Sequence, residues 1–272
     1  MGWVKHVVAI FILVMIFVLY SFYEHPLHEA SIDLIKQLQT NHTGPLGVFF
    51  VIITYLADLR IYIVIILLIF WLDLRDSSIY FMINFSFFIL ITGILRIIYR
   101  KPRPYMEDLY IKPYNCSGEY GTPSGHAFFS AYLPTILALY YINSSTRLNT
   151  LRSPKLSKLI YFCLFIYTII ISISRVIDGV HTLDQVFLGL QIGWFCAFYI
   201  HVNMKNMMIN HINQFVLGDQ TARDEVWKHF ILVLIIFLIL YSFFMVPYVV
   251  IKYTYETPLE WRETLLDQPA CK

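Results

Sequence analysis

Seven long apolar stretches restrict this chain to a small set of folds. A helix of about 20 mostly apolar residues can cross a bilayer. In lipid the backbone must satisfy its own hydrogen bonds, so spanning segments are helices or closed barrels. We therefore predict an all-α fold, a polytopic membrane helical bundle. The stretches are residues 4–22, 48–72, 79–99, 127–142, 158–174, 185–203 and 228–251.

Composition supports this assignment to the membrane. Of 272 residues, 58% are hydrophobic and 14% are charged, and the mean hydropathy is +0.63. Soluble domains carry about 25% charged residues. In the first stretch Lys5 precedes an apolar run, so a secretory signal peptide is the alternative interpretation. The stretch is long for a signal peptide and no small-residue cleavage site follows it, which favours a retained anchor.

The chain is predicted to form one membrane domain. No internal repeat or Gly/Ser-rich linker divides it. We place this domain at residues 1–251, with a motif-bearing core at about 48–203. Residues 252–272 are polar and contain two prolines, which predicts a C-terminal tail.

The distribution of Lys and Arg among the loops predicts the orientation in the membrane. The loop 143–157 holds three basic residues and no acidic one, whereas the segment after the first stretch is acidic. This predicts a cytosolic N-terminus in a multi-pass protein of an endomembrane or the plasma membrane. The net charge is +2. No Lys/Arg cluster resembles a nucleic-acid footprint, so we expect membrane lipids and no nucleic acid among the partners.

Three polar segments at the ends of apolar stretches carry the distinctive chemistry. They are Arg-Ile-Ile-Tyr-Arg-Lys-Pro-Arg-Pro at 96–104, Pro-Ser-Gly-His at 123–126, and Ser-Arg-Val-Ile-Asp-Gly-Val-His at 174–181. The predicted topology brings all three to the non-cytosolic face. Arginine donates paired hydrogen bonds to phosphate and stays charged. Arg96, Arg103 and Arg175 are therefore the candidate phosphate-binding guanidinium groups.

The second segment is predicted to open the fourth helix. A helix start exposes free backbone N–H groups that attract anions. Gly125 allows close approach of a ligand oxygen and Ser124 adds a hydroxyl donor, so both are candidate phosphate-binding residues. His126, in the first turn, is the candidate general acid and base.

The third segment supplies a candidate nucleophile. A neutral His181 can attack phosphorus and form a phosphohistidine, provided that another group orients its second nitrogen. Asp184 and Asp178 are the nearby carboxylates, and Asp184 is the predicted catalytic partner. The sequence lacks His-Glu-x-x-His and Cys-x-x-Cys, so neither a metal site nor a cofactor is predicted.

Asp58 and Arg60 interrupt the second apolar stretch. Ionisable residues inside a span are costly and often functional. These two residues can also pair with each other, and we favour that structural interpretation.

In their order and spacing the three segments resemble the motifs of the type 2 phosphatidic acid phosphatase superfamily. The resemblance covers about residues 48–200. It implies a six-helix membrane core without metal, to which the seventh helix would be an addition. It also implies phosphate binding by Arg96, Arg103, Ser124, Gly125 and Arg175, with His126 as acid/base and His181 as nucleophile.

Two positions depart from that family pattern. Arg96 stands where Lys is usual, and Gln185 stands where an Asp usually follows the nucleophile by four residues. A glutamine can accept a hydrogen bond from imidazole but cannot stabilise imidazolium by charge. Gln185, together with residues 57–60 and 103–105, is similar to the glucose-6-phosphatase branch.

The favoured function is a metal-independent phosphomonoesterase acting on a lipid phosphate such as phosphatidate, a sphingoid-base phosphate or an isoprenoid phosphate. One alternative is a sugar phosphatase that takes a small phosphorylated substrate. Another is an impaired member that serves as a structural subunit and binds partners in a membrane complex. A transporter of phosphorylated compounds is the least favoured, because no broken-helix repeat is visible.

Overall fold

The structure is a computed structural model that describes residues 2–41, 45–72, 75–113, 120–142 and 153–217. All regular elements in these ranges are helical, which confirms the all-α prediction. A π-helical turn, Ile200–Met204, joins the last two helices. The helices are α1 (Gly2–Asn41), α2 (Pro45–Tyr55), α3 (Leu59–Trp71), α4 (Arg75–Tyr99), α5 (Pro104–Glu107), α6 (Gly125–Ile142), α7 (Pro154–Ile177), α8 (Leu183–Tyr199) and α9 (Lys205–Leu217).

Five helical segments of the described part are long and apolar enough to cross a membrane. The short α6 is not among them and is mostly buried between other helices. Six of the seven predicted stretches coincide with helices, and 228–251 lies outside the described residues, as does the tail 252–272. The protein is therefore an integral, multi-pass membrane protein. The five segments are Trp3–Gln39, Val48–Trp71, Ser77–Glu107, Pro154–Ile177 and Leu183–Gln214.

Two predicted stretches differ in the structure. The first, predicted to end at residue 22, continues as one helix to Asn41. The second, 48–72, breaks into α2 and α3 at residues 56–58. Asp58 causes the break because its side chain caps α3, accepting from the Arg60 backbone N–H at 2.8 Å. The Arg60 guanidinium closes on the same carboxylate at 2.7 Å.

The centre of the bundle is the contact between α6 and α8. A Cβ at Gly189 would lie 2.7 Å from the Ser124 carbonyl oxygen, and one at Gly193 would lie 2.8 Å from the Ala131 Cβ. Small residues spaced four apart let helices approach closely in a membrane. The two backbones consequently meet near Ser124, inside the second motif.

The long helix α1 lies along α8 and continues over the end of the bundle. The hydroxyl of Tyr23 donates to the Gln191 side chain at 2.7 Å. The Leu183 backbone N–H donates to the Ser31 hydroxyl at 2.9 Å. Farther on, Gln39 accepts from the Lys112 backbone N–H at 2.9 Å. Helix α1 thus ties α8 to the segment that follows α5.

Candidate functional site

The three motifs meet at one end of the bundle. Helices α4 and α7 finish there, and α6 and α8 begin there, because consecutive spans run in opposite directions. Arg96 lies in the last turn of α4 and Arg175 in the last turn of α7. His126 lies in the first turn of α6. Charged side chains from distant parts of the sequence therefore surround one point.

The first motif turns sharply after α4. Arg100 has a φ of 48°, in the left-handed region that ends helices. The chain then runs extended to Arg103, which precedes α5 and is only 4% exposed. Its Nη1 lies 3.3 Å from His181 Nε2. The buried guanidinium of Arg103 in the first motif therefore contacts His181 in the third motif.

The second motif lies where helices α6 and α8 begin. The Ser124 backbone N–H donates to the Gln185 carbonyl at 3.0 Å, which joins the starts of α6 and α8. A Cβ at position 125 would lie 2.7 Å from Arg96 Nη2, so the guanidinium packs directly against Gly125. The Ser124 hydroxyl is buried and has no hydrogen-bond partner among the described residues.

The third motif wraps a tight loop around the end of α7. The backbone N–H groups of Val180 and His181 both lie 3.3 Å from the Arg175 carbonyl. Gly179 sits at φ +68°, where a side chain would be strained. The Arg175 side chain is buried. Its Nη1 lies 3.5 Å from Asp178 Oδ2, and its Nε has no partner within the described ranges.

The imidazole of His181 is held by Gln185. Gln185 Nε2 donates to the Pro102 carbonyl at 2.7 Å, which leaves its Oε1 as the acceptor for His181 Nδ1 at 3.0 Å. The proton is thus assigned to Nδ1, and Nε2 carries the lone pair beside Arg103. Burial, together with the charges of Arg103 and Arg175, holds the pKa of His181 well below its ordinary value.

Asp184, the predicted partner of His181, faces helix α1, and the side chain that bonds to His181 Nδ1 is Gln185. The Asp184 carboxylate lies 3.5 Å from His28 Nδ1 and accepts from the Tyr20 hydroxyl at 3.4 Å, both on α1. The reason is helical geometry. Residue 185 is four positions after 181 and lies on the same face, whereas residue 184 is rotated by about 100°. The spacing alone would have selected Gln185.

His126 occupies the more accessible side of the site. It is partly exposed, whereas His181 is 1% exposed. It lies within electrostatic range of Arg96, Arg103 and Arg175, and also of Asp58. An imidazole placed there can exchange protons with a ligand that enters from outside.

The arrangement suits a multiply charged anion. Buried donors without partners are costly, and the Ser124 hydroxyl and Arg175 Nε are two donors of the motifs that have no partner among the described residues. Three guanidinium groups supply the positive charge that a phosphate requires. Across the described ranges, no group of three His, Cys, Asp or Glu side chains is placed to hold a metal ion.

Comparison with known proteins agrees with this geometry. Residues 78–209 match the PAP2 superfamily, and this segment contains all three motifs. A Saccharomyces cerevisiae protein named dihydrosphingosine 1-phosphate phosphatase is 24% identical over 191 residues. That alignment covers 69% of this chain and 45% of the yeast protein, so the chain spans about half the length of this curated relative.

A solved structure shares the fold. It is the transmembrane PAP2-type phosphatidylglycerolphosphate phosphatase from Bacillus subtilis, which superposes with a TM-score of 0.61 at 19% identity. The match covers 73% of this chain and 96% of the bacterial one. With its three motifs gathered at one end of a membrane helical bundle, the chain is similar to the PAP2 superfamily over residues 78–209.

Proposed function

We propose that this protein is a membrane phosphatase that hydrolyses a lipid phosphate monoester through a phosphohistidine on His181. One observation carries the proposal. The buried His181 presents an unprotonated Nε2 next to Arg103, while Gln185 holds its other nitrogen. A nucleophile needs that lone pair, and burial keeps it free of a proton.

The proposed reaction has two steps. In the first, His181 Nε2 attacks phosphorus, the ester P–O bond breaks, and protonated His126 gives its proton to the leaving alcohol. In the second, His126 takes a proton from water, whose oxygen attacks phosphorus and breaks the P–N bond. Inorganic phosphate leaves and His181 is restored.

The arginines stabilise both transition states. Charge spreads over three equatorial oxygens in phosphoryl transfer, and fixed donors aimed at them provide most of the catalysis. Arg96, Arg103 and Arg175 fill this role, with the Ser124 hydroxyl and the Gly125 backbone below. Neutral Gln185 orients His181 without adding a negative charge beside the phosphate.

A lipid phosphate is the favoured substrate class. The yeast relative is named for a phosphorylated sphingoid base, and a site at the end of membrane helices is accessible to a lipid headgroup. We place this site on the non-cytosolic face, because the loop 143–157 is basic. We also propose that residues 1–251 act as one domain with 252–272 as its tail.

Hydrolysis by the purified full-length protein in detergent tests the proposal. Dihydrosphingosine 1-phosphate, phosphatidate and glucose 6-phosphate should be compared, with and without EDTA. We expect release of phosphate from a lipid substrate and insensitivity to EDTA. Preference for glucose 6-phosphate would favour the sugar phosphatase instead. Inactivity on all three would support the non-enzymatic structural subunit.

The covalent intermediate needs a separate experiment. With a ³²P-labelled substrate and acid-free quenching, label should remain on the wild-type protein and be absent from His181→Ala. His211→Ala is the matched control, because His211 is exposed on α9 and its Nδ1 bonds to its own helix at Met207. Retained turnover in His181→Ala would eliminate the proposed mechanism.

A further inference from the structure

Helix α2 contacts the third motif through the hydroxyl of Thr54. Thr54 Oγ1 lies 2.9 Å from Asp178 Oδ2 and 2.9 Å from Ser174 Oγ. Thr54 lies outside the segment 78–209 that matches the family. The contact therefore joins a peripheral helix to the loop that carries a phosphate-binding arginine.

The hydroxyl protons can be assigned by counting donors. The Ser174 hydroxyl donates to the carbonyl of Ile171 at 2.7 Å, one turn back on α7. Thr54 has one proton to give, and a carboxylate accepts more strongly than a neutral oxygen. The Thr54 proton is therefore assigned to Asp178 Oδ2. The other carboxylate oxygen, Oδ1, is buried without a partner among the described residues.

Asp178 is also the carboxylate nearest to the Arg175 guanidinium in the third motif. Their closest atoms are 3.5 Å apart, although both side chains are buried. A tight ion pair in the same protein, Asp58 with Arg60, closes to 2.7 Å. Arg175 Nη1 donates to Asp178 Oδ2 only at this long distance, whereas the Thr54 hydroxyl donates to the same oxygen at 2.9 Å.

We propose that Thr54 is a positioning residue whose hydroxyl holds the Asp178 carboxylate away from Arg175, so that the guanidinium stays available to phosphate. Without that hydroxyl, Asp178 loses the 2.9 Å hydrogen bond from Thr54 and closes on Arg175. The carboxylate then competes with the substrate phosphate for the same N–H groups. This inference rests on the proposed function, since it assumes that Arg175 binds phosphate.

Thr54→Val is the direct test, because valine keeps the shape and removes the hydroxyl. We expect the dissociation constant for inorganic phosphate, measured by equilibrium binding to the detergent-solubilised protein, to rise about tenfold. KM should rise by a similar factor and kcat should change less. Thr54→Ser should restore most of the affinity, because serine keeps the donor.

Two further variants separate positioning from simple structural support. Thr168→Val is the matched control, since the Thr168 hydroxyl bonds to the Phe165 carbonyl on its own helix α7. It should leave phosphate binding unchanged. In an Asp178→Asn background the effect of Thr54→Val should largely disappear, because asparagine does not close on Arg175 as an ion pair.

The outcomes are distinguishable from failure of the proposed function. If wild-type protein binds phosphate but hydrolyses no substrate, the enzymatic proposal fails while the binding comparison still decides the role of Thr54. If Thr54→Val binds phosphate as tightly as the wild type, the inference about Thr54 is wrong. The same conclusion follows if its effect is undiminished in the Asp178→Asn background. A wild-type protein that binds no phosphate overturns both.

Discussion

Replacing Gln185 by glutamate places a negative charge beside His181 with almost no change in shape. In the wild type, the neutral side chain accepts from Nδ1 at 3.0 Å, and the pKa of His181 lies well below its ordinary value. Two unit charges about 4 Å apart attract by about 4 kcal/mol at an effective dielectric constant of about 20. That energy corresponds to a pKa increase of about 3 units. Burying the new carboxylate offsets part of it, so we expect the pKa of His181 to rise by about 1–2 units.

The sign of the pH effect follows from the reactive form. His181 must be neutral to attack, so a higher pKa moves the acid limb of kcat/KM to higher pH. The second ionisation of the substrate phosphate, with a pKa of about 6, contributes equally to every variant. The assay is kcat/KM against pH on one lipid phosphate, for the wild type, Gln185→Glu and Gln185→Leu.

The leucine variant separates charge from hydrogen bonding. Leucine removes the hydrogen-bond acceptor of His181 without adding a charge. We therefore expect Gln185→Leu to lower kcat/KM but not to move its acid limb to higher pH. Gln185→Glu also loses the bond that Gln185 donates to the Pro102 carbonyl. We therefore expect it to lose about 1–3 kcal/mol of stability. A folded, active glutamate variant whose acid limb coincides with that of the wild type would refute the assignment of His181 as the nucleophile held by Gln185.

Three other substitutions test separate parts of the structure. Arg103→Lys keeps the charge but loses the planar pair of donors, so KM should rise about tenfold or more in the lipid phosphate assay; an unchanged KM would mean that Arg103 does not touch phosphate. Gly193→Leu should lower the unfolding temperature in detergent, because its Cβ would lie 2.8 Å from the Ala131 Cβ and overpacking costs about 1–3 kcal/mol. His28→Leu should destabilise the fold by about 1–3 kcal/mol, since it leaves the buried Asp184 carboxylate without its imidazole. For His28→Leu, thermal unfolding is the measurement, and an unchanged midpoint would contradict the importance of that contact.

Much of the fold could be predicted because a membrane allows few choices. An apolar stretch near 20 residues long has to be a helix, and six of the predicted stretches are helical in the described residues. The three motifs lie at the same end of the bundle because successive helices run in opposite directions. Arg96 and Arg175 end their helices, whereas His126 begins one, so all three lie at the same end.

The remaining details depend on contacts that hydropathy does not report. The contacts of Asp184 and Gln185 depend on their angular positions on α8, which direct Gln185 to His181 and Asp184 to α1. The break between α2 and α3 depends on Asp58 capping the following helix. The role of Thr54 is also invisible in sequence, because it depends on how α2 lies against α7.

The polar contacts between α1 and α8 have a consequence for the order in which the chain is made. Helix α1 is synthesised before α8, and Gln191, which accepts the hydrogen bond of the Tyr23 hydroxyl, lies 168 residues after Tyr23. Until α8 enters the bilayer, the nascent protein carries the Tyr23 hydroxyl without this acceptor. A chain truncated before residue 183 should therefore be held by membrane quality control and degraded faster than the full chain. Comparing the half-lives of the truncated chain and of the chain with α8 would test whether α1 depends on α8 for its stability.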